Sequence, residues 1–496
     1  MSANKLLKFL FPATVIILLL SAIAKANADP DLWGYMAFGR LFWETGQFPY
    51  RDVFSYLPTL PLWVYHEWLT GILFYPLYQK CGAAGLQLLR YALCLTTLGF
   101  IFLTARRRGA DLFSATLFGL FIFALFLMGF NPVRAQAFTY AFFAISLYLL
   151  ESARLTGNYR RLWLLIPLQA LWCNLHGGFL SGLGLIALYA VGEGLSRRPL
   201  LPYAATFGAA GLATLLNPYG LTYWTYMYAA ITMPRPEITE WSSMWAAFSQ
   251  GLVRPAVFIY ILSPVLIVFL LAVWARWREI TPILILGVTL AQGVLHFRHL
   301  AFFLIVAAAY PASLLHQFLV TRQSRVVLTA RLKTAGQMAG ILLLAVFLLA
   351  GGKRLADSAP LTLSVLALPE GEGIPGSYFP LGGIDSIKAQ GLQGKLLTEF
   401  AWGEYLIWEL YPHCLVGLDG RYETVYPEEV ANRYFRFIKA REGWRHFLAD
   451  YPPDLILIDS RKELCALLRQ EPSWRQIYTD AGCALFVRGK PVTSSQ

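Results

Sequence analysis

Acidic residues lie close to the ends of apolar segments in this chain, where ionisable groups are costly and usually functional. Asp29 and Asp31 directly follow the first apolar run, in the stretch NADPDLWGYMAFGRLFWETGQF. A carboxylate in this position could act as a general base that takes the proton of a hydroxyl group. An Asp at the start of a helix is also a common N-cap, so a structural role for Asp31 is the alternative.

Basic residues occupy the boundaries of other apolar segments. The stretch LHFRHLAFF carries His296, Arg298 and His299, and Arg134 lies in NPVRAQAFTY. An arginine can form two parallel hydrogen bonds with phosphate oxygens, so these residues could hold a phosphate group. The alternatives are side chains that snorkel to the membrane surface, or metal ligation by the two histidines, which would need further ligands.

Further polar residues near segment ends could line a substrate pocket. They are His66, Glu67, Asn174, His176, Glu237 and Glu240. Asn174 and His176 precede two glycines in WCNLHGGF, which fits a tight turn between helices equally well. Glu237 and Glu240, with Trp241, could form an acceptor groove or belong to a solvated loop.

The composition identifies the class of protein. Of 496 residues, 57% are hydrophobic and 14% are charged, whereas soluble domains carry about 25% charged residues. A polytopic, mainly α-helical membrane protein is therefore expected. The net charge of +12 does not indicate nucleic-acid binding, because Lys and Arg lie in short loops between apolar runs, as topology signals do. The six cysteines show no CxxC or other metal-binding spacing.

About eleven apolar segments are long enough to cross a bilayer, which takes roughly 20 residues. They lie near 9–26, 84–105, 111–130, 135–152, 162–176, 178–195, 200–216, 254–274, 280–296, 299–317 and 336–352. The first segment has features of a signal peptide, but we interpret it as an uncleaved span. The short segment EWLTGILFYPLY after His66 is predicted to be an interfacial helix.

Positive charges fall at every second turn between these segments. They are Lys5, Lys8, Arg106, Arg107, Arg108, Arg154, Arg160, Arg161, Arg197, Arg198, Arg276, Arg278, Arg322, Arg325, Arg331 and Lys333. The positive-inside rule makes this face cytoplasmic, with the N-terminus inside and the C-terminus outside. Acids, histidines and asparagines collect on the opposite face, so we expect an active site that opens to the periplasm or extracellular space.

Three regions follow from the change in composition along the chain. Residues 1–352 are predicted to form the transmembrane domain, with a long outer loop at 27–83, and 353–374 a linker. The outer loop begins with a helix whose apolar spacing suits the membrane surface and which Gly46 would end. Residues 375–496 contain short strands that alternate with helices, which predicts a small α/β domain outside the membrane.

One stretch of the tail carries several charged residues after a predicted strand. LDGRYETVY contains Asp419, Arg421 and Glu423. It could touch a ligand, or it could be a strand-to-helix turn.

The acidic start of the first loop resembles the GT-C superfamily of membrane glycosyltransferases. It is most similar to bacterial relatives of the protein O-mannosyltransferase and lipid A aminoarabinose transferase group. In that group the acid is followed by an aromatic residue, an arginine and a glycine before a Pro-rich stretch, a pattern that falls on Asp31, Tyr35, Arg40 and Gly46. The resemblance is specific over the first hundred residues and rests on topology beyond them. The Lys-Pro-Pro-like element of the group is replaced by LPLWVYHEW, so donor and acceptor cannot be carried over.

The resemblance implies inverting transfer of a sugar from a polyprenyl-phosphate donor to a hydroxyl of a protein, lipid or glycan acceptor. The reaction would take place at the outer face of the bacterial inner membrane. Asp31 would be the base, with Asp29 supporting it or acting as the base itself, and the four basic residues named above would hold the phosphate. No cofactor is expected; a divalent metal at Asp29 and Asp31 is the alternative.

Two other functions compete with this interpretation. A transporter or flippase of lipid-linked glycans should show internal repeats and polar groups at mid-membrane, and neither is evident in the sequence. A glycan polymerase or ligase that uses a lipid diphosphate donor would share the polar outer face.

Overall fold

The computed structural model describes residues 2–24, 26–122, 130, 132–233, 241–251, 255–323, 330–365 and 378–489. Glu237, Glu240 and the end of the predicted linker lie outside these ranges. The chain divides into two compact units, the first formed by residues 1–26 and 83–362 and the second by 27–82 and 363–496. Residues 27–82, predicted as an outer loop of the transmembrane domain, are therefore grouped with the C-terminal residues.

Helices dominate the described residues. The helices are α1 (Ala3–Ala22), α2 (Pro30–Thr45), α3 (Trp68–Arg107), α4 (Leu112–Gly119), α5 (Gln136–Thr156), α6 (Leu165–Leu175), α7 (Phe179–Leu195), α8 (Leu201–Ala213), α9 (Leu221–Thr232), α10 (Met244–Ser249), α11 (Pro255–Trp274), α12 (Ile280–Leu295), α13 (Leu300–Ala309), α14 (Ala312–Gln323), α15 (Ala330–Asp357), α16 (Leu381–Ala389), α17 (Gly403–Leu410), α18 (Tyr422–Val425), α19 (Glu428–Ile438), α20 (Trp444–Asp450) and α21 (Glu463–Leu468). The strands are β1 (Ala26–Asn27), β2 (Leu363–Ser364), β3 (Gly394–Thr398), β4 (Cys414–Val416), β5 (Leu455–Ile458), β6 (Trp474–Thr479) and β7 (Ala484–Arg488).

Each apolar segment predicted to span the membrane contains a helix, although part of segment 111–130 lies outside the described residues. Among the residues that the structure describes, four helices have the length and apolar composition to cross a membrane. They are Ala3–Ala22, Trp68–Arg107, Phe297–Arg322 and Arg331–Asp357. α3 breaks at Gly82, whose φ of 59° and ψ of −155° interrupt the helix. The short segment after His66 forms the arm of α3 that precedes this break.

A buried ionic network joins helix ends within the first unit. Arg108, after α3, and Arg154, near the end of α5, each form hydrogen bonds to both Glu151 and Glu279. Arg154 also lies 3.9 Å from Glu193 on α7. The side chains of the two arginines are 4% and 3% exposed, and that of Glu151 is 0% exposed. These five residues are called the arginine–glutamate network below.

The network adds a structural role to two of the charges predicted to mark the cytoplasmic face. Arg108 and Arg154 are buried and paired. A buried arginine needs such partners because removing its charge from water costs several kcal/mol. Tyr189 completes the pairing by donating a hydrogen bond to Glu151 (2.7 Å).

The second unit contains a five-stranded sheet with the order β4-β3-β5-β7-β6. β3 pairs in parallel with β4 and β5, whereas β7 is antiparallel to β5 and β6. The α/β character predicted for the tail is confirmed. Residues of the first loop extend this sheet, because Val416 donates a hydrogen bond to the Phe54 carbonyl (2.9 Å) and accepts one from Tyr56 (3.2 Å). The loop thereby covers the β4 edge.

The helix predicted at the start of the first loop is α2. Gly46 ends it as expected, with a left-handed φ of 67°. Its predicted position on the membrane surface is wrong, because the residues of its first half are buried by protein. Leu32, Trp33, Tyr35, Met36, Ala37 and Phe38 are at most 3% exposed. α2 therefore belongs to the core of the second unit, where it packs against α17.

Candidate active site

The two aspartates predicted as catalytic lie at the N-terminus of α2 and differ in their contacts. Asp29 is the N-cap, and its Oδ1 accepts the Asp31 backbone N–H (3.1 Å). Pro30 fills the first helical position, which suits a residue without an N–H donor. Asp31 lies in the first turn and is half-buried, where the helix dipole favours a negative charge. The capping role considered for Asp31 thus belongs to Asp29.

A third carboxyl group lies against the first turns of α2. Glu404, in the first turn of α17, is 4% exposed and accepts a hydrogen bond from the Gly34 N–H (3.1 Å to Oε2). A Cβ atom placed on Gly420 would lie 2.7 Å from Oε1 of Glu404 and 3.7 Å from Oδ1 of Asp31. The carboxyl groups of Glu404 and Asp31 therefore converge on the backbone of Gly420.

A buried arginine lies beside this pair and links two distant parts of the sequence. Arg421 donates two hydrogen bonds to Asp419 (2.8 and 2.7 Å) and one to Asp52 (2.7 Å). The three side chains are at most 2% exposed, and the guanidinium lies 5.0 Å from the ring centroid of Trp63. We call Asp31, Asp52, Glu404, Asp419 and Arg421 the carboxylate cluster.

Four acids of the carboxylate cluster face one arginine, and this imbalance changes the ionisation of Glu404. Burial raises the pKa of Glu404 well above its usual value, and the charges of Asp31 and Asp419 raise it further, although Arg421 opposes them. The buried Tyr65 also has a raised pKa, because of burial and the nearby charges of Glu67 and Glu404. Glu404 therefore keeps its proton to a higher pH than an exposed glutamate does.

His66 and Glu67, predicted to line a substrate pocket, lie in the second unit. His66 Nε2 and Glu67 Oε1 are 3.7 Å apart, and the two side chains are 19% and 14% exposed. Besides burial, the charges of the Glu67 and Asp31 carboxylates both raise the pKa of the Tyr65 hydroxyl. The structure thus brings this predicted pair near the N-terminus of α2.

The residues predicted to bind phosphate at the end of α12 surround one aromatic ring in the first unit. The Arg298 guanidinium carbon lies 5.6 Å from the Trp241 ring centroid, and the rings of His296 and His299 lie at 5.7 and 5.8 Å. His296 Nδ1 is 3.1 Å from the Trp241 carbonyl oxygen. The four residues are half-buried and form a compact cationic and aromatic group, which we call the Trp241 group.

Asn174, in the last turn of α6, is buried and bonded to the backbone. Its Nδ2 donates to the carbonyl oxygens of Ala170 (2.7 Å) and Leu216 (2.8 Å). These bonds favour the helix-turn alternative for Asn174, because satisfying carbonyl groups at helix ends is the role expected there.

His176 follows α6 and takes part in a hydrogen-bonded chain. Gly178 donates its N–H to Nδ1 of His176 (2.8 Å), and the Thr139 hydroxyl lies 2.8 Å from the same atom. Nδ1 is therefore an acceptor, which leaves the proton of a neutral ring on Nε2. Arg134, half-buried just before α5, precedes Thr139 by five residues.

The sequence analysis missed Glu404 and Asp52. Glu404 lies in the stretch WGEYLIWEL, where it shares a helix face with Ile407 and Trp408. That pattern indicates a buried acid and could have identified it. Asp52 carries no such signal, since its partner Arg421 is 369 positions away. Within the described ranges, no group of three or more His, Cys, Asp or Glu residues is arranged to hold a metal ion.

Comparison with solved structures places this geometry in a known fold. The chain aligns over 100% of its length with 100% of ArnT from Cupriavidus metallidurans, solved bound to undecaprenyl phosphate, with a TM-score of 0.53 and 13% identity. The Archaeoglobus fulgidus oligosaccharyltransferase, solved in complex with zinc and sulfate, aligns with a TM-score of 0.48 and 13% identity over 96% of this chain and 73% of that chain. No family model matches the sequence, and no curated protein matches it.

At this identity the likeness concerns the fold. It confirms a multi-pass, mainly helical membrane protein with a C-terminal α/β domain, as the sequence predicted. The chain has a GT-C-like fold, which it shares with ArnT.

Proposed function

We propose that this protein is a glycosyltransferase that moves a sugar from a polyprenyl-phosphate donor to an acceptor hydroxyl, with inversion at the anomeric carbon. The reaction takes place on the outer face of the bacterial inner membrane, with the N-terminus in the cytoplasm and the C-terminal residues outside. The sugar is a hexose or pentose, and the acceptor is a protein, lipid or glycan.

One observation carries the proposal: the fold matches along the full length a structure that contains undecaprenyl phosphate. The position of Asp31, in the first turn of the helix that follows the first span, supports it. A headgroup phosphate lies at the membrane surface, and so does the sugar attached to it. The base that activates the acceptor hydroxyl for attack on this sugar is therefore needed at a span exit.

Asp31 is the general base in this proposal and takes the proton of the acceptor hydroxyl. Asp29 supports it by capping α2, which fixes the first turn that carries Asp31. His66 and Glu67 belong to the acceptor side. A single inverting displacement needs no covalent intermediate and therefore no nucleophilic carboxylate.

The Trp241 group holds the donor phosphate, with Arg134 as a further contact. Arg298 supplies a guanidinium for the phosphate oxygens, and His296 and His299 add donors that stabilise the negative charge of the leaving phosphate. Glu237 and Glu240, which lie outside the described residues, remain predicted acceptor contacts.

The test is transfer from radiolabelled polyprenyl-phosphate sugars in membranes that contain the full chain. We expect labelled acceptor with wild type, none with Asp31→Asn, and partial loss with Asp29→Asn. Asp111→Asn is a matched control, because Asp111 caps α4 and accepts the Ser114 N–H (3.0 Å). A chelator in the same assay separates the metal-free reaction from the metal-dependent alternative.

Two results would contradict the proposal. Full transfer by Asp31→Asn would show that Asp31 is not the general base. Movement of labelled lipid across the membrane without labelled acceptor would instead support a flippase.

A further inference from the structure

We propose that Glu404 is a positioning residue of this reaction: its carboxyl group packs against the first turns of α2 and holds the Asp31 carboxylate in place. The inference deepens the proposed function and rests on it. Glu404 does not touch the reacting atoms in this view; it acts through Asp31.

Two glycines make room for the Glu404 carboxyl group. A Cβ on Gly34 would lie 2.5 Å from Oε2 of Glu404, and a Cβ on Gly420 would lie 2.7 Å from Oε1. A Cβ atom at either position would force the Glu404 carboxyl group to move. The backbones of α2 and of the turn after β4 therefore approach the carboxyl group from two sides, and the Gly34 N–H binds it.

The charged and titratable groups that face Glu404 come from several elements. Asp31 lies on α2, Asp419 and Arg421 lie in the turn after β4, and the Tyr65 hydroxyl lies before α3. Asp52, in the first loop, shares Arg421 with Asp419.

The remaining neighbours of α17 are accounted for elsewhere. On α16, the charge of Asp385 contributes to the raised pKa of Tyr405, after burial and the nearby Glu409. Lys388, also on α16, pairs with Glu409 at the other end of α17 (2.5 Å). Arg40, on α2, donates to the carbonyl groups at that end (3.0 and 3.3 Å). The charge beside Glu404 is therefore negative on balance, which favours its protonated form.

A neutral Glu404 has a direct consequence for the base. A second negative charge beside Asp31 would repel the negative charge that a carboxylate base carries. A protonated Glu404 avoids this repulsion. Its proton remains on Glu404 throughout transfer, while the acceptor proton goes to Asp31.

Four variants of the full chain separate hydrogen bonding from packing. Glu404→Gln keeps the size and neutral polarity, Glu404→Met keeps the size, and Glu404→Ala keeps neither. Glu409→Gln is the matched control, since Glu409 lies on the same helix and outside the carboxylate cluster. We expect kcat to fall about tenfold or more in Glu404→Ala and Glu404→Met, with KM unchanged. Glu404→Gln should retain most of the wild-type kcat. Equal rescue by Met would show that Glu404 only fills space.

The pH profile of transfer tests the charge of Glu404. The acid limb of the profile is the pH range over which the rate rises as the base ionises. If Glu404 is neutral, Glu404→Gln leaves this limb unchanged. If it is ionised in the working enzyme, Glu404→Gln shifts that limb to lower pH, because a negative neighbour of the base is removed. That shift would overturn the proposal.

An infrared measurement checks the proton independently of activity. Wild type at neutral pH should show a protonated carboxyl band that Glu404→Gln lacks and Glu409→Gln retains. Absence of that difference contradicts the inference even if transfer occurs. Conversely, a band difference in a protein with no transfer activity would leave Glu404 protonated but remove the proposed function.

Discussion

The arginine–glutamate network of the first unit and the carboxylate cluster of the second differ in charge balance. Both are buried and rich in acids. In the network two arginines face three glutamates, one of which is 39% exposed, and Tyr189 and Thr281 donate further hydrogen bonds. In the cluster a single arginine faces four carboxyl groups. Burial is thus shared, and the ratio of cations to acids distinguishes the two regions.

The difference separates a structural from a functional use of charge. A network with nearly as many cations as acids joins helix ends, and removing one member leaves its partners buried without a counter-charge. An excess of acids, together with burial, raises the pKa of Glu404, and perturbed pKa values of this kind are common where groups move protons. The following predictions test whether this division holds.

Asp31→Asn should have the largest effect and should act on the reaction alone. Loss of a general base lowers transfer by on the order of 10²–10⁴-fold. Asn keeps the size of the side chain, and the N-cap of α2 remains Asp29, so the melting temperature in detergent should be unchanged. Transfer rates and thermal unfolding of the same preparations check both statements. A large fall in melting temperature would show that Asp31 stabilises the fold, as the arginine–glutamate network does.

Glu151→Ala should show the opposite behaviour. It leaves Arg108 and Arg154 buried without their shared partner, which costs about 3–5 kcal/mol in the free energy of unfolding. The rate per folded molecule should stay that of wild type. Chemical denaturation of the full chain in detergent measures the free energy of unfolding. Transfer normalised to folded protein measures the rate per folded molecule.

Glu279→Gln is the matched comparison within the network, because the Glu279 side chain is 39% exposed and water can replace part of its contacts. Its loss of stability should be smaller than that of Glu151→Ala. Equal losses would mean that exposure does not govern the network.

The two regions also differ in how far the sequence predicts them. The tail strands follow from short apolar runs between turn residues, and Gly46 follows from its place after the α2 pattern. The carboxylate cluster depends on pairs such as Gly34 and Glu404, which are 370 positions apart. Local periodicity carries no information about such a pair, so the cluster could not be assembled from motifs.

The surface position predicted for α2 failed for a different reason. Its first half, LWGYMAF, is apolar around the whole helix, a pattern typical of a buried helix. Apolar spacing along one face indicates a surface helix only where the other faces are polar, and in this stretch they are not. In the first unit, by contrast, the alternation of the apolar segments predicts that HFRH and the loop that contains Trp241 lie on the same face of the membrane.

Gly34→Ala should have an intermediate effect that reaches Asp31 through Glu404. The new Cβ would lie 2.5 Å from Oε2 of Glu404, so the carboxyl group must move or α2 must shift. Overpacking of this kind costs about 1–3 kcal/mol, and we expect transfer to fall as well. Gly99→Ala in α3 is the control, because its Cβ meets no atom within 4 Å. Unchanged transfer by Gly34→Ala would show that Asp31 does not depend on this contact.

The pH dependence of stability reports on Glu404 directly. Above the usual glutamate pKa of 4.5, the unfolded chain has lost this proton while the folded chain keeps it. The contribution of Glu404 to the free energy of unfolding is therefore fully present below that pH and falls as pH rises, by about 1.4 kcal/mol per unit, until Glu404 ionises in the folded protein. Glu404→Gln cannot lose a proton, so its stability relative to wild type should rise with pH. Denaturation between about pH 5 and 7 measures this difference, and Glu409→Gln should show none of it. A constant difference between Glu404→Gln and wild type would mean that Glu404 is charged, and the carboxylate cluster would then resemble the arginine–glutamate network in kind.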